Sequence, residues 1–225
     1  MAADEVANLA ALLADRTRAL FCLSLLDGRA WTSSELAKAA RVSPSTASEH
    51  LTRLVEGGLL RERRQGRHRY LQLAGQREAD LLEHLLGYVG PTPSGHSLRA
   101  STASAALARG RTCYDHLAGR LGVAITEAMT ARGLLEADAL TVTPEGIDWL
   151  ADNLRADFTG TRRPIGKACL DWTERRSHLA GAAGAHIRAH LLDQGWIRKV
   201  GTGRAVALTP TGGQALDDLL GLSAV

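Results

Sequence analysis

Two stretches of the chain carry residue types able to do thiol or metal chemistry. RTCYDHLAG, from Arg111, holds Cys113, Asp115 and His116; KACLDWTERRSHLAG, from Lys167, holds Cys169, Asp171, Trp172, Glu174, Arg175, Arg176 and His178. Both contain Cys-x-Asp, and both end in His-Leu-Ala-Gly. If the fold brings them together, Cys113, His116, Cys169 and His178 suit a thiolate and imidazole site for zinc or another thiophilic metal, or a redox-sensitive thiol close to an arginine. The same residues also read as packing. Free Cys is often buried, a His heading a helix can cap it, and Asp171 with Arg175 or Arg176 makes a structural ion pair. Neither stretch has CxxC or HxxxH spacing to decide between these readings, so the expected cofactor is none, with a thiophilic metal as the alternative. Trp149, Trp172 and Trp196 with Tyr114 either line an apolar effector pocket or fill a core.

A second chemistry is contact with a polyanion, and it is written in VSPSTASEHLTRLVEGGLLRERRQGRHRY, residues 42–70. Ser43 reads as a helix cap followed by Pro44 at the first helical position, where its missing N–H costs nothing. Ala47, Leu51, Leu54 and Val55 then form one apolar stripe. The opposite face is Ser45, Thr46, Ser48, Glu49, Thr52 and Arg53. Short hydroxyl side chains let such a helix approach another surface closely and can donate to phosphates or base edges. Gly57 and Gly58 end the helix, and LLRERR and HRYLQL alternate around Gln65-Gly66 as a β-hairpin with a basic tip. The chain has a net charge of +3. Residues 61–70 alone hold five Arg against one Glu, so the rest of the chain is close to neutral.

Just upstream, SSELAKAA reads as a helix capped by Ser33 or Ser34, with Leu36, Ala39 and Ala40 at helical spacing. Helix, turn, helix and cationic hairpin is the order of a winged helix-turn-helix, whose second helix enters the major groove while the wing grips backbone or minor groove. A Ser-rich helix face or a charged hairpin edge is common taken singly; their order is what points to duplex DNA. The candidate groove readers are Ser45, Thr46, Ser48 and Glu49. Ser43, Arg53, Arg64, Arg67 and Arg69 are the candidate phosphate contacts, and His50 and His68 complete the set.

On these residues, and above all on ELAKAARVSPSTASEHLTRLVEGGLLRERRQGRHRYLQL, the chain from about Ala10 to Gly87 resembles the ArsR/SmtB family of bacterial winged-helix repressors. The resemblance implies a homodimer, transcriptional repression and release from operator DNA on a signal. It also implies that the first helix, NLAALLADRTRALFCLSLL, and the helix after the wing, READLLEHLLGYV, build the dimer interface. Departures bear on sensing: SELAKAA has no cysteine, and the post-wing helix offers only Asp80 and His84 at i, i+4. The commonest sensing sites of that family are missing.

The elements that must position these residues follow from composition and pattern. Of 225 residues, 45% are hydrophobic, 23% charged and only 4% aromatic, which suits helices joined by short turns and excludes a disordered chain. The acidic N-terminus and the absence of a long uninterrupted apolar run argue for a cytoplasmic protein with no membrane span, and three scattered cysteines argue against a disulfide framework. The expected fold is mainly α with small β-hairpin wings (α+β). Residues 1–89 form the winged helix-turn-helix DNA-binding and dimerisation domain. GPTPSGHSLRAS, residues 90–101, is a Pro/Gly/Ser-rich linker. Residues 102–225 form a sensor or dimer-reinforcing domain built on an internal repeat, 116–154 and 178–220. HLAGRLGVAITEAMTARGLL aligns on HLAGAAGAHIRAHLLDQGWI, and LTVTPEGIDWLADNL on VALTPTGGQALDDLL. Each copy reads as a winged-helix-like half, the second mildly basic through Arg198, Lys199 and Arg204.

The expected function is a homodimeric DNA-binding repressor, released by a small-molecule effector acting on the C-terminal domain or dimer interface. Alternatives are a thiol- or metal-responsive regulator using Cys113 and Cys169, or a protein-interaction module. No phosphate loop, oxyanion loop or nucleophile elbow supports an enzyme, and no catalytic residue is assigned.

Overall fold

Asp15 divides the first apolar run into two helices. In the computed structural model, α1 spans Ala2–Leu13 and α2 spans Arg16–Ser24. The Asp15 carboxylate accepts from the backbone N–H of Arg18, capping α2 and ending the single helix expected over this run. Residues 1–66, 68–89, 98–201 and 203–223 are described. They fall into two compact units, Met1–Leu82 and Glu83–Val225.

In the first unit, a 3-10 turn at Leu25–Asp27 leads to the short strand β1 (Trp31–Thr32), then α3 (Ser33–Ala40) and α4 (Pro44–Glu56). The cap of α3 is Thr32 and not Ser33 or Ser34. Its side chain accepts from the Glu35 N–H while the Glu35 carboxylate accepts from the Thr32 N–H, closing a reciprocal box. Leu36, Ala37 and Ala40 face inward and Ala39 is exposed, so the buried stripe includes Ala37 in place of Ala39. In α4 the expected cap, first-turn proline and buried Ala47, Leu51 and Leu54 are present. The hairpin of β2 (Leu60–Gln65) and β3 (His68–Leu73) pairs Leu60 with Leu73 and Arg64 with Arg69, and β1 joins the other edge of β3. Alternation puts Leu60, Leu71 and Leu73 on the core side at the base of the hairpin and leaves Arg61, Arg63 and Arg64 exposed towards its tip. Helix α5 (Gln76–Val89) follows.

Of the expected linker, residues 90–97 lie outside the described residues, and 98–101 begin α6 (Leu98–Arg109). The second unit then runs β4 (Arg111–Cys113), β5 (His116–Ala118), α7 (Gly119–Ala131), α8 (Pro144–Leu154), β6 (Lys167–Leu170), β7 (Ser177–Ala180), α9 (Gly181–Asp193), β8 (Ile197–Lys199), β9 (Val206–Leu208) and α10 (Pro210–Leu220). Each repeat is thus a hairpin, a helix, a second β pairing and a capped helix. The leading hairpins, β4–β5 and β6–β7, are additional to the elements read from the sequence. In the first copy the second pairing shrinks to a single bridge, Leu135 with Val142.

The repeats share one core: Leu117, Ile125, Met129, Leu150 and Leu154 of the first pack with their counterparts Leu179, Ile187, Leu191, Leu216 and Leu220 of the second. Trp149 and Trp196 pack against this same core, while Trp172 lies against the Arg111 guanidinium, 4.8 Å from the ring centroid. The three tryptophans therefore do not converge on one pocket. The space lined by Trp149, Trp196 and Leu216 is only about 10 Å³, hardly enough for one water.

The recurring Thr-Pro-x-Gly has a steric logic. Thr143 and Thr209 cap α8 and α10, accepting from the N–H of Gly146 and Gly212. A Cβ at Gly212 would sit 2.1 Å from the Trp196 carbonyl oxygen, and one at Gly146 would sit 2.2 Å from that of Leu134. Helix propensity alone favours Ala over Gly by about 1 kcal/mol. Backbone overlap reverses the sign, so Gly212→Ala is expected to destabilise the second unit by about 1–3 kcal/mol, read from its urea midpoint. An unchanged or raised midpoint would show that the helix start can move away.

Candidate functional site

Two clusters of chemistry-bearing side chains emerge, one in each unit. In the first, Ser45, Ser48, Glu49, Thr52 and Arg53 lie exposed along α4, with Thr46 half-buried beside them. Ser43 Oγ accepts from the Thr46 N–H at 3.1 Å and lies 2.8 Å from both Ser45 Oγ and Thr46 Oγ1, a compact hydroxyl knot at the helix start. Glu49 pairs with Arg53 one turn on at 2.8 Å, so the two largely neutralise each other.

The wing arginines divide into exposed and half-buried ones. Arg64 is 78% exposed, its Nε 3.5 Å from Glu62, and Arg61 and Arg63 are exposed as well. Arg69 is the exception: Glu62 holds it at 2.6 Å and its Nη1 reaches Thr52 Oγ1 of α4 at 3.3 Å. In this structure it straps the wing to the helix. His50 is half-buried. Its Nδ1 lies 3.3 Å from the Arg18 guanidinium and 3.8 Å from Asp15, on the side of α4 that packs against the N-terminal helices. His68 is exposed at the tip, and Arg67 lies outside the described residues.

In the second unit the two Cys-x-Asp stretches meet. Cys113 is the cross-strand partner of His116 in β4–β5, and Cys169 of His178 in β6–β7. The histidines therefore belong to strands, three residues ahead of the first residue of their helices, and do not cap them. Gly119 and Gly181, with φ of +74° and +84°, make the sharp turn from each strand into α7 and α9. Cys113 Sγ and Cys169 Sγ are 3.9 Å apart, and the two Nε2 atoms of His116 and His178 are 3.1 Å apart. All four candidate ligand atoms lie within 4.8 Å of one another, in residues at most 4% exposed.

Each histidine turns its other nitrogen to an aspartate. His116 Nδ1 is 3.3 Å from Asp115, which is paired with Arg163 at 2.7 Å; His178 Nδ1 is 3.3 Å from Asp171, which is paired with Arg111 at 3.0 Å. Asp171 also accepts from the backbone N–H of Gly119 at 2.6 Å, tying the second hairpin to the first repeat's helix. Its cationic partner is thus Arg111, and Arg176 instead pairs with Glu127 on α7. Arg111 is completely buried and also reaches Thr173 and the neighbourhood of Glu83. Sequence reasoning passed over it; the only local sign is a basic residue two places before each Cys.

The electrostatics agree with the geometry. Hydrogen bonding from the Cys113 thiol, aided by both imidazoles and opposed by burial, holds Cys169 towards its thiolate, while the same bond and burial push Cys113 up. Burial opposes a charge on His178, yet Asp171 and the Cys169 thiolate outweigh it and raise the imidazole to about 9. Asp171 is held far below the usual carboxylate range: burial is overcome by His178, Arg111, Thr173 and the Gly119 N–H.

Residues 13–63 match the family described as helix-turn-helix domain. Among solved structures, the homodimeric winged helix-turn-helix DNA-binding domain Mb0332 of Mycobacterium bovis, a possible ArsR-family regulator, is 35% identical, covering 38% of this chain and 78% of its own with a TM-score of 0.34. The transcriptional repressor BigR of Xylella fastidiosa is 27% identical, covering 40% of this chain and 91% of its own with a TM-score of 0.37. Over nearly the whole length, 92% of this chain and 93% of the relative, 38% of 213 aligned residues are shared with YdfF of Bacillus subtilis strain 168, described as an uncharacterized HTH-type transcriptional regulator. At that identity and coverage, with a DNA-binding helix-turn-helix at its front, the chain belongs to the family of HTH-type transcriptional regulators that includes YdfF.

Proposed function

We propose that this regulator is a homodimeric repressor that reads its operator with α4, grips the flanking backbone with the β2–β3 wing, and is released when an effector acts on the second unit or the dimer interface. The observation that carries the reading is the hydroxyl face of α4 beside an arginine-bearing hairpin that Arg69, near its tip, straps to Thr52 of that helix. Ser45, Thr46, Ser48 and Glu49 supply base-edge contacts; Ser43, Arg53, Arg61, Arg63 and Arg64 supply phosphate contacts. Dimerisation is supported by exposed apolar side chains on α1 and, separately, on α5. Helix α1 is rich in Ala, Val and Leu yet buries no residue, Val6 is 66% exposed, and Tyr88 and Val89 of α5 are 92% and 72% exposed. No catalytic step is assigned: the cross-strand pairs Cys113–His116 and Cys169–His178 are both sealed from solvent.

Footprinting on the DNA upstream of the protein's own coding sequence tests this. Two protected half-sites spaced by about one helical turn or a multiple of it are expected for a two-fold dimer. Thr46→Ala keeps the N–H that Ser43 caps and removes only the hydroxyl and methyl. It should relax preference at one base pair per half-site by about 1–3 kcal/mol while leaving the salt dependence unchanged. Uniform weakening on every sequence would mean that α4 is not the reading helix.

A further inference from the structure

We infer that Cys113, His116, Cys169 and His178 form a closed tetrahedral site for one zinc-class divalent ion, which joins the two repeats of the second unit at their leading hairpins. The distances fit such an ion. Tetrahedral coordination at about 2.3 Å for sulfur and about 2.05 Å for nitrogen places two sulfurs about 3.8 Å and two nitrogens about 3.3 Å apart. The chain holds them at 3.9 Å and 3.1 Å before any ion is considered.

Chemistry narrows the ligand. Two thiolates disfavour magnesium and calcium, and two sulfurs with two imidazoles suit zinc, cobalt or cadmium. Two thiolates with a divalent ion and two neutral imidazoles sum to zero, the least costly charge for a site sealed among residues at most 4% exposed. Asp115 and Asp171, each backed by an arginine, lie 3.3 Å from the Nδ1 atoms and leave Nε2 pointing inward, the arrangement in which ligating histidines are oriented. A disulfide between the two cysteines would need neither histidine nor its aspartate. With four protein ligands and no open position, the ion is a fastener for the fold and not a catalyst. The site is independent of the DNA-binding reading, and its occupancy supplies a concrete form for the effector.

The test is cobalt binding by the full chain, purified anaerobically under reducing conditions and stripped with a chelator. One Co²⁺ per chain is expected, with intense tetrahedral ligand-field bands and thiolate-to-cobalt charge transfer, displaced one for one by Zn²⁺. Cys113→Ser and Cys169→Ser should each lower affinity at least about 100-fold, and Asp115→Asn about 10- to 100-fold through the histidine it orients. His178→Cys keeps four ligands, so it should still bind one Co²⁺ with stronger charge transfer, which separates ligand loss from misfolding. Cys22→Ser should change nothing. Absence of stoichiometric Co²⁺ in the wild-type chain, binding indifferent to both cysteine variants, or a Cys113–Cys169 disulfide in the anaerobic protein would each overturn the proposal. Operator binding is scored separately by gel shift, so its failure would leave the metal result standing.

Discussion

Arg111→Met is expected to destabilise the second unit by about 3–5 kcal/mol, because it keeps the side chain's bulk but strands the charges that Arg111 compensates. Asp171 is fully buried and takes a 3.0 Å bond from the Arg111 guanidinium, and the buried Glu83 carboxylate is 4.0 Å away. Glu83 retains Arg204, with Nη1 at 2.5 Å. Asp171 retains only His178 and a set of N–H and hydroxyl donors. The change also removes the stacking of Arg111 on Trp172. The measurement is the urea transition of the full chain followed by fluorescence of Trp149, Trp172 and Trp196, all in this unit. Arg111→Met combined with Asp171→Asn should recover part of the loss, since the pair is then removed together. A single-variant effect below about 1 kcal/mol would show that water or rearrangement rescues the stranded carboxylate.

The second large effect concerns the wing. Replacing Arg61, Arg63 and Arg64 together by Ala should weaken operator binding on the order of 100- to 1,000-fold at about 0.1 M salt, and flatten the slope of log affinity against log salt by nearly 3, about 0.9 for each phosphate no longer neutralised. These three are exposed on β2, so their removal leaves the buried base of the hairpin, Leu60, Leu71 and Leu73, in place. Preference among sequences should persist, because base readout is assigned to α4. Arg69→Ala should behave differently. Removing the strap to Glu62 and Thr52 frees the wing from the helix, so affinity should fall with a smaller change in slope. Gel shifts across a salt series resolve both. A triple variant with an unaltered slope would remove the wing from the interface.

Much of the first unit was legible because its rules are local. Ser43-Pro44, Gly57-Gly58, the apolar stripe through Ala47, Leu51 and Leu54, and the alternation of β2 and β3 each depend on neighbours within four residues or on a hairpin partner close in sequence. The cap of α3 fell one residue away because two local options were nearly equal. Thr32 and Ser33 are both good caps, and Glu35 three residues after Thr32 decides between them through the reciprocal bond. His50 sits beside the apolar stripe, where only the packing of α1 and α2 shows which neighbour claims it.

The candidate metal site divides the same way. The sequence by itself determined that two Cys-x-Asp stretches head two copies of His-Leu-Ala-Gly, and hence that related structures recur. The two cysteines fall outside the gapless alignment because the second hairpin carries a longer turn, Cys169 standing nine residues before His178 where Cys113 stands three before His116. Only the tertiary structure decided that the copies share one core, that Cys113 meets Cys169 and His116 meets His178, and that Arg111 rather than Arg175 or Arg176 answers Asp171. Those partners are 56 to 62 residues apart. Their meeting is set by the burial of Leu117, Ile125, Leu179 and Ile187 against one another, a sum over many distant contacts that no short-range pattern encodes.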